Sequence, residues 1–197
     1  MRTQIVWIAT MLLGLAALAS AQELPPVPVV EVGLNYSALM LRPGGSVPSF
    51  VMQGGNSTLE FNVTNHLGLL ADVGLYHIGD VGRFPNVEDN ALTYMAGPRV
   101  NFRTREVNFY IQGLAGGARF TNGFDPNSPF STTGRNQTVL MSKFGGGVQV
   151  RMNDHLTLQL PEVNYVLTRF DEPSSAATAL RGGMSVSIGA VFTAGSK

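Results

Sequence analysis

Cysteine is absent from this 197-residue chain. No disulfide can staple the fold, no thiolate can bind a metal and no cysteine can carry a lipid. Charge is scarce too. Asp, Glu, Lys and Arg make up 13% of the residues, where a soluble globular domain carries roughly 25%, so a folded surface of this composition has little to offer water. The charges that remain cancel to a formal net of +0, which removes the electrostatic footprint of a nucleic-acid partner. Long apolar runs are missing after the N-terminal segment, where no stretch reaches the roughly 18 residues of a membrane-crossing helix.

Glycine is abundant, with 23 residues, well above the ordinary level of about 7%. Each glycine in a helix interior costs about 1 kcal/mol relative to alanine. Few charges, much glycine and no spanning helix together point to strands.

The N-terminus has the layout of a secretory signal. Arg2 supplies the positive region, Ile5 to Leu18 the apolar stretch and Ala19-Ser20-Ala21 a small-residue cleavage site. The expected organisation is a signal peptide at 1–21, a proline-rich periplasmic lead at 22–28, a β-barrel at 29–193 and a short tail at 194–197.

Strands announce themselves by period-two alternation. From Val30 to Met40 the apolar set Val30, Val32, Leu34, Tyr36, Ala38 and Met40 is interleaved with Glu31, Gly33, Asn35 and Ser37. Thr58–Thr64 and Leu67–Ile78 repeat the pattern, the latter with Leu69, Ala71, Val73 and Leu75 opposite Asp72, Gly74 and Tyr76. Five more segments follow: 92–103, 107–120, 138–151, 156–168 and 180–192. In the fifth strand "GLAGGARF" reads nearly equally well in either facing. In the seventh the parity changes at Pro161, which cannot donate to a ladder, so a register shift is expected there.

The connections alternate in length. Long stretches at about 41–56, 79–90, 121–137 and 169–179 are interleaved with the tight turns Asn65-His66, Thr104–Glu106 and Met152–His155. Transmembrane barrels have short periplasmic turns and longer extracellular loops, and a sandwich has no reason to obey that rule. The expected fold class is therefore all-β, an eight-stranded antiparallel up-and-down transmembrane β-barrel with both termini at the periplasmic end.

Such a wall meets lipid on one face and the lumen on the other, so charges on strands belong inside. The predicted inward acids are Glu31, Glu60, Asp72 and Glu162, and the inward bases Arg99, Lys143, Arg151 and Arg181. Counting residues from the turns places Glu60, Asp72 and Arg99 at one level, with Asp72 the expected partner of Arg99, and Glu162 and Lys143 as a second pair. Eight strands leave a bore just wide enough for side chains to fill, so this network is expected to close it. A structural role is the ordinary reading of such a network, and an ion path would need a continuous wet channel. Tyr36, Tyr94, Phe102, Phe109, Phe120, Phe144, Tyr165 and Phe192 are candidates for interfacial aromatic girdles.

Catalysis finds little support. Nucleophilic hydrolysis needs a Ser or Thr, a His and a carboxylate within reach, but His66 and His155 fall in turns and His77 faces outward near the opposite rim. No histidine pair has ligand spacing, and the loop acids Asp80, Glu88, Asp89, Asp171 and Glu172 lack the ligand order of a calcium loop. The glycine clusters 113–117 and 145–147 do not open helices, so phosphate cradling is rejected in favour of close strand packing. Neither an enzyme activity nor a cofactor, metal or nucleic-acid partner is expected.

The segments "VEVGLNYS", "GPRVNF", "GGARF" and "YVLTRF" resemble those of small bacterial outer-membrane β-barrel proteins, the porin-family or OmpA-like barrel domain, over nearly the whole mature chain. The resemblance implies residence in the bacterial outer membrane, contact with its lipid, and insertion by the barrel-assembly machinery through the last strand. The chain departs from the family in continuing "TAGSK" beyond Phe192. The function expected is non-enzymatic, structural or surface-interacting through the loops of a monomer, with any loop partner unspecified. Two alternatives are a narrow pore for small solutes, distinguished by conductance, and a soluble periplasmic lipocalin-like barrel, distinguished by cell fractionation and a heat-dependent gel shift.

Overall fold

A computed structural model of the protein describes residues 27–42, 49–78, 89–121, 137–170 and 179–196. Eight strands follow one another: β1 (Pro28–Leu41), β2 (Phe50–Asn62), β3 (Leu67–Ile78), β4 (Asp89–Arg103), β5 (Val107–Thr121), β6 (Gln137–Arg151), β7 (Leu156–Phe170) and β8 (Ala179–Ser196). Each pairs antiparallel with its sequence neighbours, and β8 pairs with β1 to close the barrel. Closure leaves no unpaired sheet edge, the condition for strands to stand in hydrocarbon. Long and short connections alternate as expected, with 63–66, 104–106 and 152–155 as the tight turns.

Alternation turns directly into facing. On β3 every second residue is buried, Gly68 through Ile78, while Leu69, Val73 and Leu75 lie outside, Leu75 being 66% exposed. The same belt continues through Leu34, Phe109, Ile111, Leu140, Phe144, Val186 and Ile188. A soluble ligand-binding barrel has the reverse arrangement, with its apolar set inside and its polar set outside. This outer surface suits hydrocarbon, and the protein is a transmembrane β-barrel.

The structure revises the reading of several elements. β2 begins at Phe50 rather than at Thr58, so "FVMQGGN" is wall and not loop. Glycine's poor strand propensity is overridden by pairing on both sides: Gly54 sits between Ser37 of β1 and Tyr76 of β3, and a Cβ there would strike the Leu75 carbonyl. β8 runs to Ser196, which pairs with Pro28, so most of the stretch read as tail belongs to the last strand. Phe120 does not join a girdle. It points inward and is 1% exposed, settling the facing of β5 with Tyr110, Gln112, Leu114 and Ala118 inside and Arg119 outside. At the turn end Phe102 and Phe109 are paired across β4 and β5, whereas Phe144 and Tyr165 meet near the middle of β6 and β7.

The break in β7 falls where expected. Leu160 and Pro161 both face outward, and the register shifts between Gln159 and Glu162. The extra residue turns Glu162 into the bore, where unbroken alternation would have left it outside with Leu158 and Leu160.

Register also measures stagger. The paired row Asn62, Gly68, Arg99, Gln112, Gly145, Asn164, Ser185, Leu39 returns to β2 at Met52, so one circuit climbs from position 62 to position 52. Residues equally far from their own turns therefore stand at different heights when their strands differ.

Candidate functional site: the barrel interior

Three polar tiers fill the turn-side part of the bore. Lowest is Arg103, whose Nη2 donates to Glu31 Oε1 at 2.7 Å and to Asn62 Oδ1 at 2.9 Å, while Asn62 Nδ2 donates to Glu31 at 2.8 Å. Above it Arg99 is the hub. Its Nη1 donates to Glu60 Oε2 at 2.9 Å, its Nε and Nη2 to Gln112 Oε1 at 3.0 and 2.7 Å, and Nη2 lies 3.6 Å from Glu162 Oε2. The guanidinium also stacks 4.1 Å from the ring centroid of Tyr110, whose hydroxyl donates to Glu162 Oε2 at 2.6 Å. In the third tier Lys143 Nζ stands 3.4 Å from both oxygens of Asp72, and Asn56 Nδ2 donates to Asp72 Oδ2 at 2.9 Å.

Buried ions persist only when paired and hydrogen-bonded, and these are both. Glu60 also receives Asn101 Nδ2 at 2.8 Å, and Glu162 receives Asn164 Nδ2 at 2.7 Å and Gln159 Nε2 at 3.2 Å. Arg99, Glu60, Asp72, Lys143 and Glu162 are each at most 3% exposed.

Glycine makes two of these contacts possible. Arg99 is paired in register with Gly68, so Glu60 on β2 reaches over β3 to β4 through the space a side chain would fill; a Cβ on Gly68 would overlap the Glu60 carboxyl group. Tyr110 likewise reaches over its register partner Gly147 on β6 to Glu162 on β7, and a Cβ on Gly147 would lie 2.6 Å from the Tyr110 hydroxyl oxygen. Gly68→Ala should displace Glu60 from Arg99 and destabilise the barrel by about 1–3 kcal/mol, the usual cost of overpacking. A denaturation midpoint unchanged from wild type would refute that steric account.

The pairing differs from the expectation drawn from turn distances. Asp72 meets Lys143 and not Arg99, while Arg99 meets Glu60 and Glu162. The stagger is the reason: Asp72 stands four residues beyond Gly68, the register partner of Arg99, and the climbing row lifts Lys143 on β6 toward Asp72. Arg151 is not in the buried network. It is 32% exposed at the turn-side mouth, where its Nη2 lies 3.0 Å from Asp154 Oδ1. The side chain of Arg181 lies outside the described residues, as does Asp80.

Toward the loop end the bore changes character. Leu39, Leu41, Phe50, Met52, Ile78, Ala118, Phe120, Val139 and Met141 form one apolar cluster inside the barrel. Its signal in the sequence is a failure of alternation. Leu39-Met40-Leu41, Phe50-Val51-Met52 and Val139-Leu140-Met141 are apolar on both faces, as a strand must be between lipid and a dry core.

No protein-family model matches the sequence, and no curated protein matches it. Among solved structures the barrel is similar to the Neisserial surface protein NspA, with a TM-score of 0.60 and 14% identity over 83% of this chain and 96% of that one. It is also similar to the N-terminal β-barrel domain of Pseudomonas aeruginosa OprF, with a TM-score of 0.50 and 15% identity over 82% of this chain and 96% of that one. The chain has the fold of the small eight-stranded outer-membrane barrels. At these identities the likeness is one of architecture.

Within that fold the histidines stand far apart. His66 and His155 are exposed in turns, and His77 faces outward with its Nδ1 2.8 Å from Asn90 Oδ1. Among the described residues no three His, Asp or Glu side chains are placed to hold a metal. Sequence patterning did not single out Arg103, Asn56, Tyr110, Gln112 or Asn164 as members of the network. All five sit at inward positions of alternating strands, so parity was the available signal; for the uncharged four, polarity alone does not mark a partner.

Proposed function

We propose that this chain is a non-enzymatic outer-membrane barrel with a closed bore, a rigid monomeric scaffold whose surface role is carried by the connections at its loop end. The observation that carries this reading is the stacking of two different seals. A hydrogen-bonded ionic network lies in the turn-side part and an apolar cluster in the loop-side part. An ion would have to displace paired charges and then cross a largely apolar zone in which, among the described residues, a few hydroxyls such as those of Tyr76, Ser37 and Thr93 take the place of charged ligands. Residues 42–49, 79–88, 122–136 and 171–178 are rich in Gly, Ser, Asn and Pro, a composition suited to variable contact surfaces on a fixed frame. Entry into the membrane would proceed through the barrel-assembly machinery by way of β8.

Planar-bilayer recording of the refolded mature protein tests the closed bore. The expected trace has no steady unitary openings in molar potassium chloride. Reproducible single-channel steps that survive further purification would replace the scaffold reading with that of a narrow pore.

A further inference from the structure

On the outside of the wall a polar ledge begins where the apolar belt ends at the loop side. Gln53, His77, Asn90 and Thr121 stand in direct register on β2, β3, β4 and β5. Two residues nearer the turns, Leu75, Leu92 and Arg119 form the next outward row on β3, β4 and β5. Together these residues line a depression of about 470 Å³. Gln53, His77, Asn90 and Arg119 are all exposed, so a molecule beside the barrel can reach them.

Hydrogen bonds within the ledge consume its acceptors. Gln53 Oε1 accepts from the Tyr36 hydroxyl at 2.7 Å, and Asn90 Oδ1 lies 2.8 Å from His77 Nδ1, which must donate because an amide oxygen only accepts. The Asn90 backbone carbonyl accepts from Thr121 Oγ1 at 3.2 Å. What the ledge has left over is donors: Gln53 Nε2, Asn90 Nδ2 and the Arg119 guanidinium. Among the described residues no carboxylate lines the depression, and the side chain of Asp89 lies outside them. Charge of one sign marks the whole loop-side rim. Where side chains are described, the full charges on outward strand positions are Arg119 and Arg169, both close to the loop ends of their strands, and Arg42 is exposed just past β1.

Leftover donors and a cation call for an anion. Arg119 and Asn90 are diagonal neighbours across β4 and β5, about 7–8 Å apart, within joint reach of one tetrahedral anion. A guanidinium fork and an amide N–H suit phosphate. The surroundings of the ledge say what carries that phosphate. Val73, Leu75, Leu92 and Tyr94 continue below Asn90 and Arg119 as exposed apolar wall. The outward set of β3 is wholly apolar from Leu67 to Leu75, a climb of roughly 20 Å for a strand tilted by about 40°. His77 and Asn90 therefore stand at the headgroup level of the loop-side leaflet.

We infer that this ledge is a headgroup site for an anionic lipid of the loop-side leaflet. Arg119 and Asn90 Nδ2 hold its phosphate, and an acyl chain lies along Leu75, Leu92 and Tyr94. Gln53, two strand spacings or roughly 10 Å from Asn90, donates to an oxygen at the far side of the headgroup. The inference rests on the membrane placement of the wall and is independent of whether the bore conducts.

The test is a titration of the refolded mature barrel in dodecyl maltoside micelles, followed by the side-chain amide resonances of Asn90 and Gln53. The probes are dioleoylphosphatidic acid, dioleoylphosphatidylcholine and inorganic phosphate. Phosphatidic acid should shift both resonances saturably, and phosphatidylcholine, with the same chains on a zwitterionic headgroup, should bind at least about fivefold more weakly. Inorganic phosphate, which lacks the chains, should be weaker still. Arg119→Gln should weaken phosphatidic acid by at least about fivefold while the heat-dependent gel shift of the folded barrel persists. Arg105→Gln, in the exposed turn at the opposite end, should leave the titration unchanged. Equal binding of the two lipids by the wild-type barrel, a result that needs no variant to fold, would overturn the assignment. So would undiminished binding by a folded Arg119→Gln variant, or an equal loss in Arg105→Gln. Inorganic phosphate as tight as phosphatidic acid would overturn the lipid as occupant and leave a free-anion site.

Discussion

Arg99→Leu is expected to destabilise the barrel by at least about 3–5 kcal/mol, the range seen when one partner of a buried ion pair is removed. Arg99 contacts Glu60 on β2, Gln112 and Tyr110 on β5, and Glu162 on β7, from a position 2% exposed. Leucine fills part of the space but leaves two buried carboxylates without their shared cation. Their remaining donors, Asn101 for Glu60 and Tyr110, Asn164, Gln159 and Ser187 for Glu162, are neutral. Arg99→Lys should be intermediate, because an ammonium keeps the charge but cannot span Glu60 and Gln112 with a planar fork. The chain's one tryptophan is Trp7, within the segment read as signal peptide. Urea unfolding is therefore best followed by far-ultraviolet circular dichroism or by the gel shift. Arg105→Leu, in the exposed turn between β4 and β5, should move the midpoint by no more than about 0.5 kcal/mol. Matching midpoints for the Arg99 and Arg105 variants would sink the hub role.

Asp72→Ala should be nearly as damaging, again about 3–5 kcal/mol, because it strands Lys143, which is buried and whose ion-pair partner is Asp72. Asn56 would lose its acceptor as well. Asp80→Ala, in the 79–88 connection, should stay within about 0.5 kcal/mol. The informative variant is the double substitution Asp72→Ala with Lys143→Met. Removing both charges eliminates the unpaired ion, so it should be less destabilised than Asp72→Ala alone, although it carries one more change. If the double variant is the less stable of the two, the cost lies in packing and not in an orphaned charge.

Period two made most of the wall legible without coordinates. Asp72, Glu60, Glu31 and Arg99 could be assigned inward because a barrel strand has two faces and charge is costly on one of them. Pro161 marked the β7 break because a residue without an N–H cannot donate to the ladder and is accommodated at a bulge. The start of β2 was hidden because Gly54 and Gly55 carry a loop's composition, and only pairing with β1 and β3 makes them strand. Phe120 was ambiguous for a similar reason: with glycine and alanine around it, either facing of β5 leaves small residues on both sides.

By itself the sequence determined which residues point inward on most strands, how many strands there are and at which end the chain turns tightly. These are local properties, set by alternation and by turn length. Tertiary structure decided who meets whom. Pairing across a bore depends on the accumulated climb of the register through all eight strands, together with the gaps at Gly68 and Gly147 that let Glu60 and Tyr110 reach past a neighbouring strand. No single hairpin contains that climb, which is why Asp72 belongs to Lys143 and Arg99 to Glu60 and Glu162.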